Sequence, residues 1–328
     1  MSDTMRVVVA PEPGGPEALR IETRPIPTPG PGELLVRVHA TSVNRPDVLQ
    51  RQGRYPPPPG ASDVLGLDVA GEVAAVGDGV EDWRPGDRVC AVVAGGGYAE
   101  YAIVPAPIAL PVPEGLSLQE AAAIPEVFAT AYDNLIVRGA LAAGETALIH
   151  GGASGVGTAA IQLAVRAGAR VIATAGSDRK RAACERLGAV AAVDHHGDWV
   201  AAVREVCGDA GVDVVLDIVA APYLGAHLSL LAMEGRLVVI GTQGGRHAEI
   251  DLWRVMARRL TVRGSTLRIR TVEQKAAVAA GMRRDVLPGF SDGTLRPVID
   301  RVMPLEEVAA AHAVMEAGEH IGKIVLTV

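Results

Sequence analysis

A glycine-rich segment, ALIHGGASGVGTAAIQLA at residues 147–164, carries the clearest chemical signal in this sequence. An apolar run leads directly into the glycines, which lead directly into an amphipathic helical pattern. Gly152, Gly155 and Gly157 allow a tight turn, close approach of the backbone to a pyrophosphate, and close packing of helix on strand. Ser154 replaces the middle glycine of the strict pattern. Because the helix N-terminus offers unpaired N–H groups to phosphates, the segment predicts a dinucleotide site rather than a merely structural turn.

The sequence GSDRK at residues 176–180 bears on which dinucleotide binds. Enzymes that use NAD place an acid about 20 residues after the glycines, at the end of the second strand. Asp178 is a candidate, but it also suits the first turn of a helix that Ser177 caps. Arg179 and Lys180 supply cations for a 2′-phosphate, although Lys180 also suits a solvated helix face. We therefore predict NADPH rather than NADH.

The glycine segment lies in residues 126–266, where strand-like and helical patterns alternate. Strands are predicted at Thr146–His150, Arg170–Ala175, Val190–Asp194, Val212–Asp217, Arg236–Gly241 and Leu260–Arg263. Helices are predicted at Thr158–Ala167, Asp178–Leu187, Val200–Val206, Leu224–Ala232 and Leu252–Arg258. Six strands with crossover helices predict an α/β domain with a doubly wound parallel sheet.

Residues 1–125 show a different pattern, in which proline and glycine clusters separate short apolar runs. The runs are Arg6–Ala10, Leu34–Val43, Val69–Val76 and Asp87–Val93. This pattern predicts a compact β-rich domain. After residue 266 the sequence predicts helices at Val272–Val286 and Leu305–Glu316 and a last strand at Lys323–Val328. We expect this small piece to return and complete the N-terminal domain.

Composition excludes several classes of function. The chain has 328 residues, which suggests two domains, and its formal net charge of −7 argues against a nucleic-acid partner. No apolar stretch approaches the ~20 residues of a membrane span, and the N-terminus lacks a signal-peptide pattern. The three cysteines are far apart, which fits a reducing compartment. We therefore predict a cytoplasmic protein that binds neither nucleic acid nor membrane.

A β-rich domain before a dinucleotide domain suggests the zinc alcohol dehydrogenases, but the residues argue against zinc. A catalytic zinc needs about three nitrogen, sulfur or oxygen ligands. The first ligand in that superfamily is a Cys in the segment SVNRPD, where this chain has Asn44. The second is the His of Gly-His-Glu, where this chain reads Gly66-Leu67-Asp68. Without a metal the acceptor must take hydride unaided, as quinones and activated C=C bonds do.

The chain resembles the zinc-free quinone oxidoreductases, the zeta-crystallin-like branch of the medium-chain dehydrogenase/reductase superfamily, over nearly its whole length. The matching strings are SVNRPDVLQRQGRYPPPPGAS (42–62), LGLDVAGEVAAVG (65–77), RPGDRVCAVVAGGGYAEY (84–101), AAIPEVFATAYDNL (122–135), ALIHGGASGVGTAAIQLA (147–164) and IGKIVL (321–326). The resemblance implies a Rossmann NADPH-binding domain at 126–266 and a GroES-like catalytic domain at 1–125 and 267–328. It also implies hydride delivery in a cleft between the domains, and a homodimer built through the edge strand Leu260–Arg263.

The resemblance also implies contacts for each part of the cofactor. The diphosphate would lie on the loop residues Ser154, Gly155 and Val156. The 2′-phosphate would meet Gly176, Ser177 and Lys180, and His195, which replaces a tyrosine of the family, would contact phosphate in a pH-dependent way. The residues implied near the nicotinamide are Asn44, Thr130, Ile240, Gly241, Ser265, Leu267 and, close to the cleft, Lys323.

Three residues of the N-terminal domain are candidates for catalysis. Asn44 would hydrogen-bond the nicotinamide ribose or the substrate carbonyl, or else join Asp47 in capping the backbone before a helix. Tyr55 would donate a proton or hydrogen bond to the reduced acceptor, or else pack against the neighbouring prolines. Arg268 and Arg270 follow the last strand of the cofactor domain; one interpretation places them at the mouth of the substrate site, but we favour a solvated face.

The function predicted from these residues is NADPH-dependent, metal-free reduction of a quinone. One alternative is a 2-enoyl thioester or enone reductase, which would reduce an activated alkene with Tyr55 as proton donor. A second alternative is a non-catalytic NADPH-binding protein.

Overall fold

The chain divides into two compact units, and a computed structural model describes residues 3–328. Unit 1 contains the residues up to Ala129 together with Leu267–Val328, and unit 2 contains Thr130–Thr266. The division after Ala129 falls inside a helix that spans Pro125–Ala131, whereas the predicted boundary lies at the start of this helix. Residues 1 and 2 of the predicted N-terminal domain lie outside the described residues.

The N-terminal part of unit 1 consists mainly of strands with alternating burial. Leu34, Val36 and Val38 are buried at alternate positions of one strand. The strands are β1 (Thr4–Val9), β2 (Arg20–Pro25), β3 (Glu33–Val43), β4 (Asp68–Val76), β5 (Arg88–Val92), β6 (Tyr101–Pro105) and β7 (Leu110–Pro111). The helices are α1 (Arg45–Arg51), α2 (Leu118–Ala122) and α3 (Pro125–Ala131).

Unit 2 alternates strands and helices. The strands are β8 (Thr146–Ile149), β9 (Arg170–Ala175), β10 (Ala191–Asp194), β11 (Val212–Asp217), β12 (Leu231–Val239) and β13 (Thr261–Gly264). The helices are α4 (Gly155–Arg166), α5 (Asp178–Arg186), α6 (Trp199–Cys207), α7 (Leu224–Leu230) and α8 (Leu252–Arg258). The parallel sheet has the order β10-β9-β8-β11-β12-β13, which confirms the predicted Rossmann fold. The order reverses between β8 and β11, and sheets of this type bind ligands at the carboxyl ends of the strands there.

The fifth strand of this sheet starts earlier than predicted. The sequence predicts a helix at 224–232 and a strand from Arg236, but α7 ends at Leu230 and β12 begins at Leu231. Leu231 pairs with Val212 of β11 and is fully buried there. Burial in the sheet therefore overrides the local helical pattern.

The C-terminal part of the chain completes unit 1, as predicted. It contributes α9 (Val272–Gly281), α10 (Leu287–Ser291), β14 (Ile299–Pro304), α11 (Val308–Ala317) and β15 (Lys323–Thr327). β15 pairs antiparallel with β3 in a sheet of order β14-β15-β3-β4-β5-β7, and β6 also pairs with β3. The helix predicted at 272–286 is helical over its whole length, because α9 passes after Gly281 into a π-helical turn at Met282–Val286, which continues into α10.

The three cysteines and the helix lengths relate to the predictions of a reducing compartment and of no membrane span. Cys90, Cys184 and Cys207 are buried and have free thiols. Burial raises the pKa of Cys90 to about 12, which makes this thiol unreactive. Within residues 3–328, none of the helices combines the length and the apolar character that crossing a bilayer requires.

Candidate active site

The glycine segment of unit 2 joins β8 to α4 through a turn that larger residues would not fit. A Cβ on Gly152 would lie 2.8 Å from the Cβ of Ala173 and 2.8 Å from the Sγ of Cys184. A Cβ on Gly157 would lie 2.2 Å from the carbonyl oxygen of Gly151. Gly151 itself has a φ of +64°, in the left-handed region, which the sequence analysis did not assign to it. These glycines hold the helix N-terminus against the strand ends.

The first turn of α4 is suited to an anion. Ser154 caps the helix, and its Oγ accepts a hydrogen bond from the backbone N–H of Gly157 at 3.0 Å. Because of this cap, α4 starts at Gly155, three residues before the predicted start at Thr158. The first turn carries no acidic residue. A glycine cradle at a helix N-terminus without nearby carboxylates fits the diphosphate of a dinucleotide.

The end of β9 places cations where a 2′-phosphate would bind. Ser177 caps α5, and its Oγ accepts from the backbone N–H of Lys180 at 3.4 Å. The carboxylate of Asp178 is 96% exposed and pairs with Arg181, which also lies 3.2 Å from a carboxylate oxygen of Asp194. The acid that could hold the ribose of NAD is therefore already engaged by a cation.

Two histidine rings cover Gly176 at this strand end. A Cβ on Gly176 would lie 2.8 Å from the Cε1 of His195 and 2.9 Å from the Nε2 of His196. Burial lowers the pKa of His195, and His196, Lys180 and Arg181 lower it further, whereas the carboxylate of Asp194 opposes this shift. The residues predicted to meet the 2′-phosphate, Gly176, Ser177, Lys180 and His195, thus lie together at one strand end of unit 2.

The predicted nicotinamide residues of unit 2 are linked by a residue that sequence reasoning missed, Asn134. Its Nδ2 donates to the carbonyl oxygen of Thr130 at 2.8 Å, and its Oδ1 accepts from the Oγ of Ser265 at 2.6 Å. The backbone N–H of Ser265 donates to Val239 at the end of β12. Asn134 therefore holds Thr130 and Ser265 in fixed positions.

Ile218, just after β11, packs between the glycine segment and the other predicted nicotinamide loop. A Cβ on Gly151 would lie 2.6 Å from its Cδ1, and a Cβ on Gly241 would lie 3.1 Å from its carbonyl oxygen. The backbone N–H of Ile240 donates to the carbonyl oxygen of Asp217 at 2.8 Å. The loop at Ile240 and Gly241 therefore lies beside the glycine segment at the point where the strand order reverses.

A second network missed from the sequence lies directly after β8. His150 Nδ1 lies 3.1 Å from Thr174 Oγ1, and His150 Nε2 lies 2.8 Å from His227 Nε2. His227 Nδ1 lies 3.6 Å from a carboxylate oxygen of Asp217. Burial lowers the pKa of His150 well below its usual value and that of His227 to about 3, so both rings are neutral. Thr174 also accepts from the backbone N–H of Gly151, which connects this neutral network to the glycine turn.

In unit 1, Asn44 forms a closed triangle with Asp68 and Lys323. Asn44 Nδ2 donates to Asp68 Oδ2 at 2.8 Å, and Asn44 Oδ1 accepts from Lys323 Nζ at 2.5 Å. Lys323 Nζ also lies 3.2 Å from Asp68 Oδ2, and all three residues are buried. The other carboxylate oxygen of Asp68 accepts from the backbone N–H of Glu126. Sequence reasoning did not identify Asp68 as a site residue; the signal was an acid within the apolar run LGLDVAG.

This triangle tests whether the residues fit a zinc ion. The amide oxygen of Asn44 and the carboxylate of Asp68 already bind the ammonium group of Lys323, which supplies the positive charge at this point. Leu67 has no ligand atom. Over residues 3–328, no three His, Cys, Asp or Glu side chains are grouped as a metal ion would require. The donor set does not fit zinc.

Asp47 is held by a buried chain that leads away from Asn44. Its Oδ2 accepts from the backbone N–H of Asn44 at 2.8 Å and from Tyr98 OH at 3.2 Å. Tyr98 OH lies 3.2 Å from His312 Nε2, and His312 Nδ1 lies 3.4 Å from Arg51. Since an arginine only donates, His312 Nδ1 accepts and Nε2 donates toward Tyr98. The chain ends at a group that keeps its proton, so it positions Asp47 and does not conduct protons.

Arg268 is buried, and the prediction of a solvated face is wrong for this residue. Its side chain is 5% exposed and donates to the carbonyl oxygens of Ala94 at 2.8 Å and Tyr55 at 3.4 Å, and to Oε1 of Gln50 at 2.5 Å. Its guanidinium carbon lies 5.4 Å from the centre of the Tyr55 ring. Three oxygen acceptors and an aromatic face replace water around the cation. Burial raises the pKa of Tyr55, and the charge of Arg268 opposes this shift.

Comparison with known proteins first defines the class. Residues 30–114 match the family model "Alcohol dehydrogenase GroES-like domain", and residues 155–280 match "Zinc-binding dehydrogenase". A solved structure described as an NAD-dependent alcohol dehydrogenase is 35% identical, with a TM-score of 0.87 over 98% of this chain and 99% of that one. A mycobacterial protein solved in complex with NADPH is 32% identical, with a TM-score of 0.86 over 99% of this chain and 100% of that one. The fold is that of the nicotinamide-dependent medium-chain dehydrogenases.

Sequence similarity then defines the family. Human quinone oxidoreductase is 35% identical over 326 residues, which cover 98% of this chain and 97% of the relative. The chain belongs to the zinc-free quinone oxidoreductase family of the medium-chain dehydrogenase/reductase superfamily, and it is an oxidoreductase.

Proposed function

We propose that this oxidoreductase reduces quinones with NADPH and without a metal ion. The observation that carries the proposal is the triangle of Asn44, Asp68 and Lys323, in which the residue at the first zinc-ligand position of the zinc alcohol dehydrogenases, Asn44, binds an internal ammonium group instead. Without a Lewis acid the acceptor must accept hydride unaided. A quinone does so because the negative charge it gains is stabilised as the phenolate of an aromatic ring, and similarity to human quinone oxidoreductase supports this acceptor class.

NADPH is proposed as the cofactor because of the charges around Gly176. Lys180 and Arg181 lie close enough to His195 at this strand end to lower its pKa, while Asp178 is paired with Arg181. A 2′-phosphate there would gain charge-assisted hydrogen bonds that a 2′-hydroxyl would not. Bound NADPH supplies the hydride. The chain's own residues bind the dinucleotide, orient its nicotinamide and hold the acceptor against it.

The hydrogen bonds of Asn44 favour a role in cofactor binding over a role as donor to the substrate. Both N–H groups of its amide are engaged, one by Asp68 at 2.8 Å and one by the carbonyl oxygen of Ser42 at 3.3 Å. Its oxygen accepts one bond from Lys323 and has a second lone pair available. Asn44 can therefore accept a hydrogen bond from a ribose hydroxyl, but it has no N–H left for a substrate carbonyl.

The role of Tyr55 separates quinone reduction from the enoyl alternative. A reduced quinone leaves its charge on oxygen, where water can protonate it later. A reduced enoyl thioester leaves an enolate whose Cα needs a proton within the site, and general acid catalysis typically contributes about 10²–10⁴-fold. The Tyr55 ring packs on Arg268, and from there its phenol would donate a hydrogen bond to a bound acceptor without having to transfer its proton.

The test compares ortho-quinones with enoyl thioesters as acceptors for the wild type and Tyr55→Phe. With quinones, we expect the variant to lose one hydrogen bond, roughly 0.5–1.5 kcal/mol in kcat/KM. Tyr101→Phe, at the second tyrosine of the GGGYAEY string, is the control for loss of a phenol. A wild type that strongly prefers enoyl thioesters, with a Tyr55→Phe variant at least ~100-fold slower on them, would establish the alternative. Binding of NADPH without turnover of either acceptor would contradict both.

We further propose a homodimer formed through the edge of the unit 2 sheet. β13 is the last strand of that sheet and has only β12 as a neighbour. Large exposed apolar side chains occur in α8 and β13, namely Leu252, Trp253, Met256 and Val262. Exposed apolar surface beside an open strand edge favours self-association. Light scattering should give a dimer for the wild type and a monomer for Trp253→Lys, whereas Ile269→Lys, on an exposed residue of unit 1, should stay dimeric.

A further inference from the structure

Two adjacent histidines of unit 2 lie against the strand end where the 2′-phosphate is proposed to bind. His195 and His196 follow β10, and their ring centres are 4.2 Å apart with 39° between the ring planes. Both rings occupy the space that a side chain on Gly176 would need, since a Cβ there would lie 3.3 Å from Nε2 of His195 and 2.9 Å from Nε2 of His196. The two Nε2 atoms are therefore held beside the backbone that follows β9.

The ring nitrogens of this histidine pair are available to a ligand. His195 is half-buried and His196 is exposed. Asp194 accepts a hydrogen bond from the backbone N–H of His196 at 3.0 Å, whereas no hydrogen bond within residues 3–328 uses a ring nitrogen of either histidine. A phosphate oxygen that reaches Gly176 can therefore meet two imidazole rings that the chain itself does not engage.

The groups that face His195 come from the segment after β10, from α5 and from the end of β8, namely His196, Asp194, Lys180, Arg181 and His150. Arg181 lies 3.2 Å from a carboxylate oxygen of Asp194, so these two opposite charges offset each other. His150 is neutral, because burial lowers its pKa well below the usual value. Lysine and arginine do not change charge near neutral pH, whereas histidine does. The histidine pair is therefore the part of this strand end that responds to pH.

The charge of the pair depends on whether a phosphate is bound. Burial lowers the pKa of His195, and of its charged neighbours only Asp194 opposes the shift, so without a phosphate this ring is neutral at neutral pH. The short distance between the ring centres disfavours two positive charges, so the rings take up protons one at a time. A phosphate dianion nearby favours the charged ring, because an opposite charge within about 4–6 Å shifts a pKa by roughly 1–3 units.

We propose that His195 and His196 take up one proton when the 2′-phosphate binds, so that the preference for NADPH over NADH increases as the pH falls. The proton moves from solvent to an imidazole nitrogen, which then donates a charge-assisted hydrogen bond to a phosphate oxygen. NADH carries a 2′-hydroxyl and takes up no proton at this pair. The inference rests on the proposed function. It extends the pH-dependent contact expected of His195 to a second ring, His196, and to the choice between the two dinucleotides.

The experiment measures the dissociation constants of NADPH and NADH by fluorescence titration between pH 7 and pH 8.5. The second pKa of a phosphate monoester is about 6, so the 2′-phosphate stays a dianion over this range. For the wild type, the ratio of the NADH to the NADPH dissociation constant should rise about threefold or more from pH 8.5 to pH 7. In the double variant His195→Gln/His196→Gln the ratio should not depend on pH, while unchanged NADH affinity shows that the variant folds. His247→Gln, which removes an exposed histidine elsewhere in unit 2, should keep the full rise.

Calorimetry of the wild type gives a second measurement that needs no variant. Because proton and phosphate binding are coupled, the enthalpy of NADPH binding near neutral pH should differ between two buffers of unlike ionisation enthalpy by the amount that proton uptake requires. The enthalpy of NADH binding should show no such uptake.

Two kinds of failure are distinguishable. A wild-type ratio that is independent of pH, equal proton uptake with both dinucleotides, or a rise that persists in the double variant would overturn the inference and leave a preference for NADPH intact. Equal affinity of the wild type for NADH and NADPH at every pH would instead overturn the proposed cofactor.

Discussion

Both units bury a polar network beside residues predicted to bind the cofactor, but the two networks differ in charge. In unit 1 the network of Asn44, Asp68 and Lys323 is ionic and closed within the chain. In unit 2 the network of His150 and His227 is neutral, because burial lowers the pKa of both rings. An ion pair fixes an amide in place whether or not a ligand is bound. A neutral network keeps the base of the glycine turn rigid and adds no charge to it.

The largest expected effect comes from breaking the ionic network. Asp68→Asn leaves the ammonium group of Lys323 buried without its counter-charge, which should lower the free energy of unfolding by about 3–5 kcal/mol. Urea denaturation of the full chain, followed by tryptophan fluorescence, measures this loss. The control is Arg37→Met, which breaks the exposed pair of Arg37 with Glu72 and should cost at most about 1 kcal/mol. Equal losses of unfolding free energy in the two variants would show that the buried ion pair contributes no more to stability than the exposed one.

The next effect tests the proposed contact of Lys180 in unit 2 with a 2′-phosphate. Lys180→Ala should weaken NADPH binding by about 1.5–3 kcal/mol and leave NADH binding nearly unchanged, because only NADPH carries the 2′-phosphate. Calorimetric titration with both dinucleotides measures the difference. Arg186→Ala, at the exposed end of the same helix α5, controls for the loss of one positive charge. Equal affinity of the wild type for NADH and NADPH would refute the proposed cofactor preference.

A smaller loss is expected from breaking the neutral network. His227→Leu leaves His150 Nε2 without its partner at 2.8 Å, which should cost about 1–3 kcal/mol at pH 8. The folded-state pKa of His227 is near 3 and lies below the unfolded value, so its stabilising contribution is complete above about pH 6.5 and is lost as the pH falls toward 3. The difference between variant and wild type should therefore shrink on acidification. Unfolding midpoints at pH 8 and pH 5 provide the comparison, and a difference that grows at pH 5 would contradict it.

Asp47 in unit 1 should show the opposite pH dependence. Burial raises its folded-state pKa to about 7, above the unfolded value of about 3.9, so its contribution is complete at low pH and is lost as the pH rises toward 7. Asp47→Asn cannot ionise, so its stability relative to the wild type should increase between pH 4 and pH 7, by at most about 1.4 kcal/mol per pH unit. Parallel urea titrations at these pH values measure the slope. A flat or falling difference would mean that Asp47 is ionised in the folded protein.

The sequence predicts the elements of unit 2 well because each depends on local pattern. The glycines fix the turn before α4, and Ser177 caps α5 as expected. The predicted boundary between α7 and β12 was wrong, because the pairing of Leu231 with a distant strand determines where β12 begins. Local patterns carry no information about such pairing.

The site of unit 1 was less predictable because its side chains meet across long distances in the chain. Asn44 and Asp47 lie in a recognisable motif, but Lys323 reaches Asn44 from a strand that begins 279 residues later. Arg268 looked like a surface residue because its three acceptors lie 174, 213 and 218 residues away along the chain. Without knowing which strands pair, a buried cation and an exposed cation look alike in a sequence.

The separation of Asn44 and Lys323 along the chain has a consequence for the order of folding. All of unit 2 lies between these two residues, so pairing them closes a loop of 279 residues, longer than any loop that closes within unit 2. Contacts between distant residues form late, because the loop that they close costs more entropy. We therefore expect a refolding chain to regain its dinucleotide turn first and the Asn44 amide last. During renaturation, cofactor binding should then return earlier than turnover.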